Sequence, residues 1–157
     1  FKELRYIVFD FDGVFTDNSV YTDQNGNESV ISSKFDGFGL NKLKDLGIGL
    51  FILSTEKNKV VEKRAKKLGI DFLQNLSGDG KLDELDKIVE NSNFSYDSVA
   101  YVGNDVNDIS LTLSKSFNSC ETFCVLPFAD AATLSMYLSL SMLSISWKER
   151  FKLIPLG

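Results

Sequence analysis

Two aspartates stand two positions apart at the end of an apolar run, in "YIVFDFDGVFTD" over residues 6–17, and a glycine follows the second. Positions i and i+2 of a strand share a face, so Asp10 and Asp12 are expected side by side. Carboxylates so close repel each other unless a cation or a shared proton relieves them. Gly13 lets the chain turn sharply and leaves backbone N–H groups to face an anion. A metal beside an anion points to phosphate. Taken alone, Asp-x-Asp is more readily a strand end in solvent. A calcium loop is a poorer fit, because its glycine and closing glutamate are missing at the required offsets.

Three more stretches carry candidate chemistry. "LFILSTEKN" (50–58) ends a second apolar run in two hydroxyls, Ser54 and Thr55, which suit a phosphate but equally a helix N-cap. "GDGKLDEL" (78–85) sets Lys81 at the start of a helical pattern, where the ammonium and the helix N-terminus both favour an anion. The plainer alternative is a solvated lysine. "VAYVGNDVND" (99–108) delivers Asn104, Asp105 and Asp108 at the end of a third apolar run.

The elements that must position these residues are legible in the pattern. "LRYIVFDF", "IGLFILS", "IDFLQ", "SVAYVG" and "TFCVL" read as short buried strands bounded by Gly, Asn, Asp or Ser. Leu40, Leu43 and Leu46 make one helical face closed by Gly47. Val60, Val61, Ala65 and Leu68 make a second, closed by Gly69, and Leu82, Leu85, Ile88 and Val89 a third. This alternation predicts an α/β fold, a parallel sheet with helices on both faces. Its strand C-terminal ends are where such folds bind ligands. The segment 19–33 breaks the alternation: β-formers flank "QNGN", and Asn25-Gly26 is a hairpin-turn signal. A hairpin is expected to overhang the aspartates.

Composition narrows the chemistry. The 157 residues read as one domain, 1–157, with 43% hydrophobic and 25% charged residues. A net charge of −5 argues against a nucleic-acid surface. The absence of histidine removes the usual neutral-pH base and every zinc site that needs one. Cys120 and Cys124 read as reduced thiols of a cytoplasmic protein, and no signal peptide is visible. Residues 131–147 carry no charge, but their five serines fit a buried or subunit-facing helix better than a membrane span. Thirteen phenylalanines fit a full core or an apolar patch that meets another subunit.

Taken in order, Asp10-x-Asp12-Gly13-Val14, a strand-end hydroxyl, a lysine and Gly103-Asn104-Asp105-x-x-Asp108 resemble the haloacid dehalogenase (HAD) superfamily. More narrowly, they look like its branch without a large cap domain, where a β-hairpin stands in place of the cap. That branch includes phosphatases of 3-deoxy-D-manno-octulosonate 8-phosphate and of 2-keto-3-deoxynonulosonic acid 9-phosphate. It also includes the C-terminal domains of acylneuraminate cytidylyltransferases. The match runs from about Leu4 to Asp108, with "GNE" in the hairpin and "DGFG" after it. "ILSTEKNKVVEKRAKKLGI" and "AYVGNDVND" look most like the cytidylyltransferase-linked members.

The resemblance implies roles. Asp10 would be the nucleophile and Asp12 the general acid and base, with Ser54 and Lys81 holding the phosphate beside Gly13 and Thr55. Mg²⁺ would be the cofactor, held by Asp10, the Asp12 carbonyl and Asn104, with Asp105 as the alternative. Glu56 and Lys67 match positions associated with recognising the sugar acid. The implied partners are a small sugar-acid phosphate and three further copies in a homotetramer, with neither nucleic acid nor membrane. Three departures stand out: Asn104 where the phosphatases commonly carry Asp, Phe35 where many relatives carry Arg, and "SWKERFKLIPLG" in place of a Gly-Gly-x-Gly-Ala-x-Arg-Glu loop. Two functions are compatible with this pattern, a Mg²⁺-dependent sugar-acid phosphatase and a catalytically weak module that oligomerises a cytidylyltransferase.

Overall fold

The computed structural model describes residues 4–77, 80–104, 108 and 123–125. Asp105, Cys120, the uncharged run 131–147 and the C-terminal "SWKERFKLIPLG" lie outside the described residues. Among the described residues, five parallel strands form the main sheet: β1 (Tyr6–Phe9), β4 (Gly49–Leu53), β5 (Asp71–Leu73), β6 (Val99–Gly103) and β7 (Phe123–Val125), in the order β5-β4-β1-β6-β7. All five fall on the apolar runs of the sequence. A two-stranded hairpin, β2 (Thr16–Thr22) and β3 (Glu28–Ser32), is inserted after β1. The α-helices delimited among the described residues are α1 (Phe35–Asp45), α2 (Val60–Leu68) and α3 (Gly80–Ser92). Among the described residues, no helix is long and apolar enough to cross a membrane.

Strand alternation sorts the core into two layers. Ile7 and Phe9 of β1 pack with Leu50, Ile52, Ala100 and Val102 against Leu40 and Leu43 of α1 and Val61 and Ala65 of α2. Val8 points the other way, and with Leu53, Val99 and Tyr101 meets Leu85 and Val89 of α3. Each buried aliphatic or phenyl group contributes about 1.5–3 kcal/mol by leaving water. Helices on both faces thus enclose the sheet.

The chain runs from β1 outward to β4 and β5, then returns to β6 on the other side of β1. The order reverses between β1 and β6, and a crevice opens outside the strand ends at such a switch point. The turn after β1 is held there by aromatics: Phe11 and Phe15 are buried, and Phe15 stacks on Phe11 at 5.8 Å and meets Phe9 edge-on at 5.5 Å.

The hairpin differs from expectation in its bounds. It starts at Thr16 and not at 19, and Asn25-Gly26 lies, as expected, at the turn, within a five-residue loop over Asp23–Asn27. The Asp23 carboxylate closes that loop by accepting from the Asn25 and Asn27 N–H groups at 2.8 and 2.9 Å, with only Gly26 at positive φ. The exit of the hairpin is tied down by Arg64 of α2, which donates to the Ser33 carbonyl and pairs at 2.8 Å with the fully buried Asp36.

Candidate active site

β1 ends at Phe9, so Asp10 and Asp12 sit in the turn and not on one strand face as the spacing predicted. Asp10 still extends the ladder, since its N–H donates to the Val102 carbonyl at 2.8 Å. Its own carboxylate accepts the Phe11 N–H at 2.8 Å. What brings the two acids to one place is the turn, and both feel the same cation, Lys81.

Lys81 is the centre of the site. It opens the first turn of α3 and is only 2% exposed, which rules out the solvated alternative. Its ammonium lies 2.9 Å from Asp10 Oδ1 and 3.0 Å from Asp108 Oδ1. Asp108 Oδ1 also accepts the Tyr101 hydroxyl at 2.8 Å. Asp108 is therefore in direct contact with Lys81 and Tyr101. A Cβ on Gly103 would fall 2.3 Å from Asp108 Oδ2, so only glycine lets that carboxylate lie against β6.

Electrostatics follow from burial. Burial pushes the Asp10 carboxyl up to about 6, helped by the Asp108 charge and opposed by Lys81. Burial also raises Asp12, and the neighbouring Glu56 charge adds to it, against Lys81 and a hydrogen bond from Thr16. Burial works against the Lys81 ammonium, but Asp10 and Asp108 outweigh it and hold the pKa above that of an ordinary lysine. Tyr101 is driven far up by burial and then by the same two acids, so it stays a neutral donor.

Gly13 does not offer its N–H to the crevice as expected; it donates to Thr16 Oγ1 at 3.2 Å, which also accepts from Asn18 N–H. The need for glycine has a second cause. Its φ is +76°, and a Cβ would lie 1.7 Å from the Asn104 amide nitrogen, so the Asn104 side chain is pressed against the turn.

The other candidates divide. Ser54, directly after β4, is buried, and its Oγ accepts the Glu56 N–H at 3.0 Å. An accepting hydroxyl still has its proton to donate. Thr55 is exposed. Glu56 Oε1 accepts the Lys57 and Asn58 N–H groups at 2.6 and 2.8 Å, and the residue lines a cleft with Asp12. That cleft, ≈ 190 Å³, runs between the aspartate turn, the hairpin and the segment leading into α2. Lys67 is not brought to it. It is exposed in the last turn of α2, about 10 Å along the axis from the cleft residue Val60. Thr16 and Tyr101 were not among the expected site residues. A hydroxyl three positions beyond a glycine turn, and a phenol in a buried strand that must find a partner, are the signals that point to them.

Mg²⁺ takes hard oxygens and usually needs only one or two carboxylates besides water and phosphate. Among the described residues no group of three His, Cys, Asp or Glu is arranged to hold a metal. The Asp10 carboxylate, the Asp12 carbonyl and the amide oxygen of Asn104, whose side chain lies against Gly13, are oxygen donors of the chemistry that fits Mg²⁺.

No protein-family model matches this sequence. The 3-deoxy-D-manno-octulosonate 8-phosphate phosphatase KdsC of Escherichia coli K12 is 32% identical over 107 residues, which are 68% of this chain and 56% of that protein. A structure described as a HAD family hydrolase from Streptomyces avermitilis superposes with a TM-score of 0.67 at 38% identity, covering 71% of this chain and 63% of that one. The chain is homologous to the HAD phosphatases. A second solved HAD relative, the Moraxella catarrhalis octulosonate 8-phosphate phosphatase in complex with magnesium, phosphate and KDO, has a TM-score of 0.64 at 31% identity, over 69% of this chain and 62% of that one. N-acylneuraminate cytidylyltransferase A of Danio rerio is also related, at 28% identity over 108 residues, which are 68% of this chain and 25% of that protein. The chain thus spans a little over half the length of the curated HAD phosphatases it matches.

Proposed function

We propose that this chain is a Mg²⁺-dependent phosphomonoesterase acting on a sugar-acid phosphate, of the octulosonic 8-phosphate or nonulosonic 9-phosphate type. The observation that carries this reading is the buried Asp10–Lys81–Asp108 cluster at the switch point, with Asp12 facing an open cleft. Asp10 attacks phosphorus while the ester P–O bond breaks, and Asp12 gives its proton to the leaving sugar oxygen. Burial and Glu56 raise the Asp12 pKa, which favours the protonated form that this step requires. Asp12 then takes a proton from water as the water attacks the aspartyl phosphate, and Asp10 and inorganic phosphate are released. Lys81 and the Ser54 hydroxyl neutralise and hold the transferring group. Bound Mg²⁺ would add positive charge where the phosphoryl oxygens gather negative charge, held by the Asp10 carboxylate, the Asp12 backbone carbonyl and Asn104.

Similarity to a Mg²⁺-, phosphate- and KDO-bound relative supports the substrate class. A panel of sugar-acid phosphates, assayed for phosphate release with and without Mg²⁺, tests it. Release from at least one member in Mg²⁺ alone is expected; silence across the panel would remove the reading.

Asn104 sets a further expectation. An amide oxygen coordinates Mg²⁺ without adding charge, so Asn104→Asp should tighten Mg²⁺ binding about three- to tenfold in a calorimetric titration. Unchanged affinity would show that Asn104 is no ligand.

Assembly bears on the second reading, an oligomerisation module of a cytidylyltransferase, which the relation to the Danio rerio enzyme favours. Val20, Tyr21 and Ile31 of the hairpin are 56%, 72% and 74% exposed, and Phe35 and Phe38 of α1 are 68% and 73% exposed. Such apolar exposure is covered in closed homo-oligomers. Light scattering at micromolar concentration should give the mass of a tetramer, and a monomer mass would count against it. Tetramers without phosphatase activity would favour the module.

A further inference from the structure

The cleft beside Asp12 has a charge character that phosphoryl transfer alone does not demand. Its ≈ 190 Å³ falls short of the roughly 300–1,000 Å³ that encloses a whole drug-sized ligand. It therefore takes one end of a larger molecule. Three carboxylates line it, from three separate elements: Asp12 of the aspartate turn, Glu28 at the start of β3, and Glu56 after β4. Asn18, Ser19 and Asn58 add uncharged polar groups, and among the described residues no lysine or arginine lines the cleft. Lys81, which does act on Asp12 through its charge, is engaged by Asp10 and Asp108.

Carboxylates and amide oxygens accept hydrogen bonds from hydroxyls. A substrate carboxylate in the same place would meet like charge, and such juxtaposition discriminates strongly between partners. We infer that the cleft selects an uncharged, hydroxyl-rich segment next to the ester and excludes an anionic group within two or three carbons of it, with Glu28 as a specificity-determining residue. This rests on the phosphatase reading above and narrows it. An acid group on the substrate must then lie more than three carbons from the phosphate ester.

Glycerol 3-phosphate and 3-phosphoglycerate test this, because they have the same number of carbons and differ in a hydroxymethyl against a carboxylate. With the full chain and Mg²⁺, kcat/KM should favour glycerol 3-phosphate about tenfold. Glu28→Gln should shrink that ratio about threefold, since the charge it removes is partly screened by solvent, and Glu28→Lys should shrink it further. The ratio is internal to each preparation, so a fraction of misfolded variant cancels. A ratio near one in the parent protein, or the same ratio in all three proteins, would overturn the inference. If neither ester is hydrolysed while a sugar-acid phosphate is, turnover cannot report the charge selection; if no sugar-acid phosphate is hydrolysed either, the phosphatase reading is what fails. Calorimetric affinities of the same two esters then decide the charge selection, and equal affinities would overturn it.

Discussion

Asp10→Asn is expected to lower phosphate release on the order of 10⁴-fold or more, the scale seen when a covalent nucleophile is removed. The amide preserves the volume and can still accept the Phe11 N–H that the carboxylate accepts at 2.8 Å. It cannot form the acyl phosphate. Its stability should not suffer, because burial already pushes the native carboxyl up to about 6 and a neutral amide escapes that cost. Lys81 keeps Asp108, 3.0 Å away, as its counter-charge. Turnover in the variant is measured alongside its melting temperature. A folded variant with turnover near the parent value would refute covalent catalysis through Asp10.

How much of this was readable from residues alone depends on how far each feature reaches along the chain. The strands were, since each apolar run is its own signal and Gly, Asn or Ser marks its ends. Helix α2 was as well: Gly69 adopts φ +64° as its left-handed cap, as the glycine after Leu68 implied. The hairpin was legible as an insertion and its turn as the Asn25-Gly26 signal, which falls inside the loop with Gly26 at φ +80°; what was not legible is that the Asp23 side chain closes a longer loop around it. Lys81 shows the other limit. Its two fates, solvated or buried, differ only through Asp10 and Asp108, and Asp108 lies 27 positions away in sequence. The position of Lys67, away from the cleft, was hidden for the converse reason. A charged helix face supplies lysines at every turn, and only the direction of α2 away from the cleft tells which of them is remote.

Lys81→Met is expected to weaken the fold as well as the reaction, and the loss of stability should depend on pH. The substitution keeps an unbranched chain of similar length and removes the cation. Lys81 is 2% exposed between Asp10 and Asp108, at 2.9 and 3.0 Å. Removing one partner of a buried pair costs about 3–5 kcal/mol. The two carboxylates left behind repel, and the site relieves this by binding a proton. The Asp10 carboxyl stands at about 6 even with Lys81 present, against about 3.9 in an unfolded chain. Its folded pKa is raised, so stability from this group is full below the unfolded value and is lost as pH rises through the folded one. Without Lys81 the folded value rises further, and the window of loss extends toward neutral pH. The melting temperature of the variant should therefore trail the parent most near about pH 8 and least near about pH 5. Activity should fall on the order of 10²–10³-fold at every pH, because protonating a carboxylate restores no positive charge for the transferring phosphoryl group. Thermal unfolding across that range separates the two effects. A deficit that stays constant with pH would mean that Lys81 acts at this site through its hydrocarbon packing and not as the counter-charge of Asp10 and Asp108.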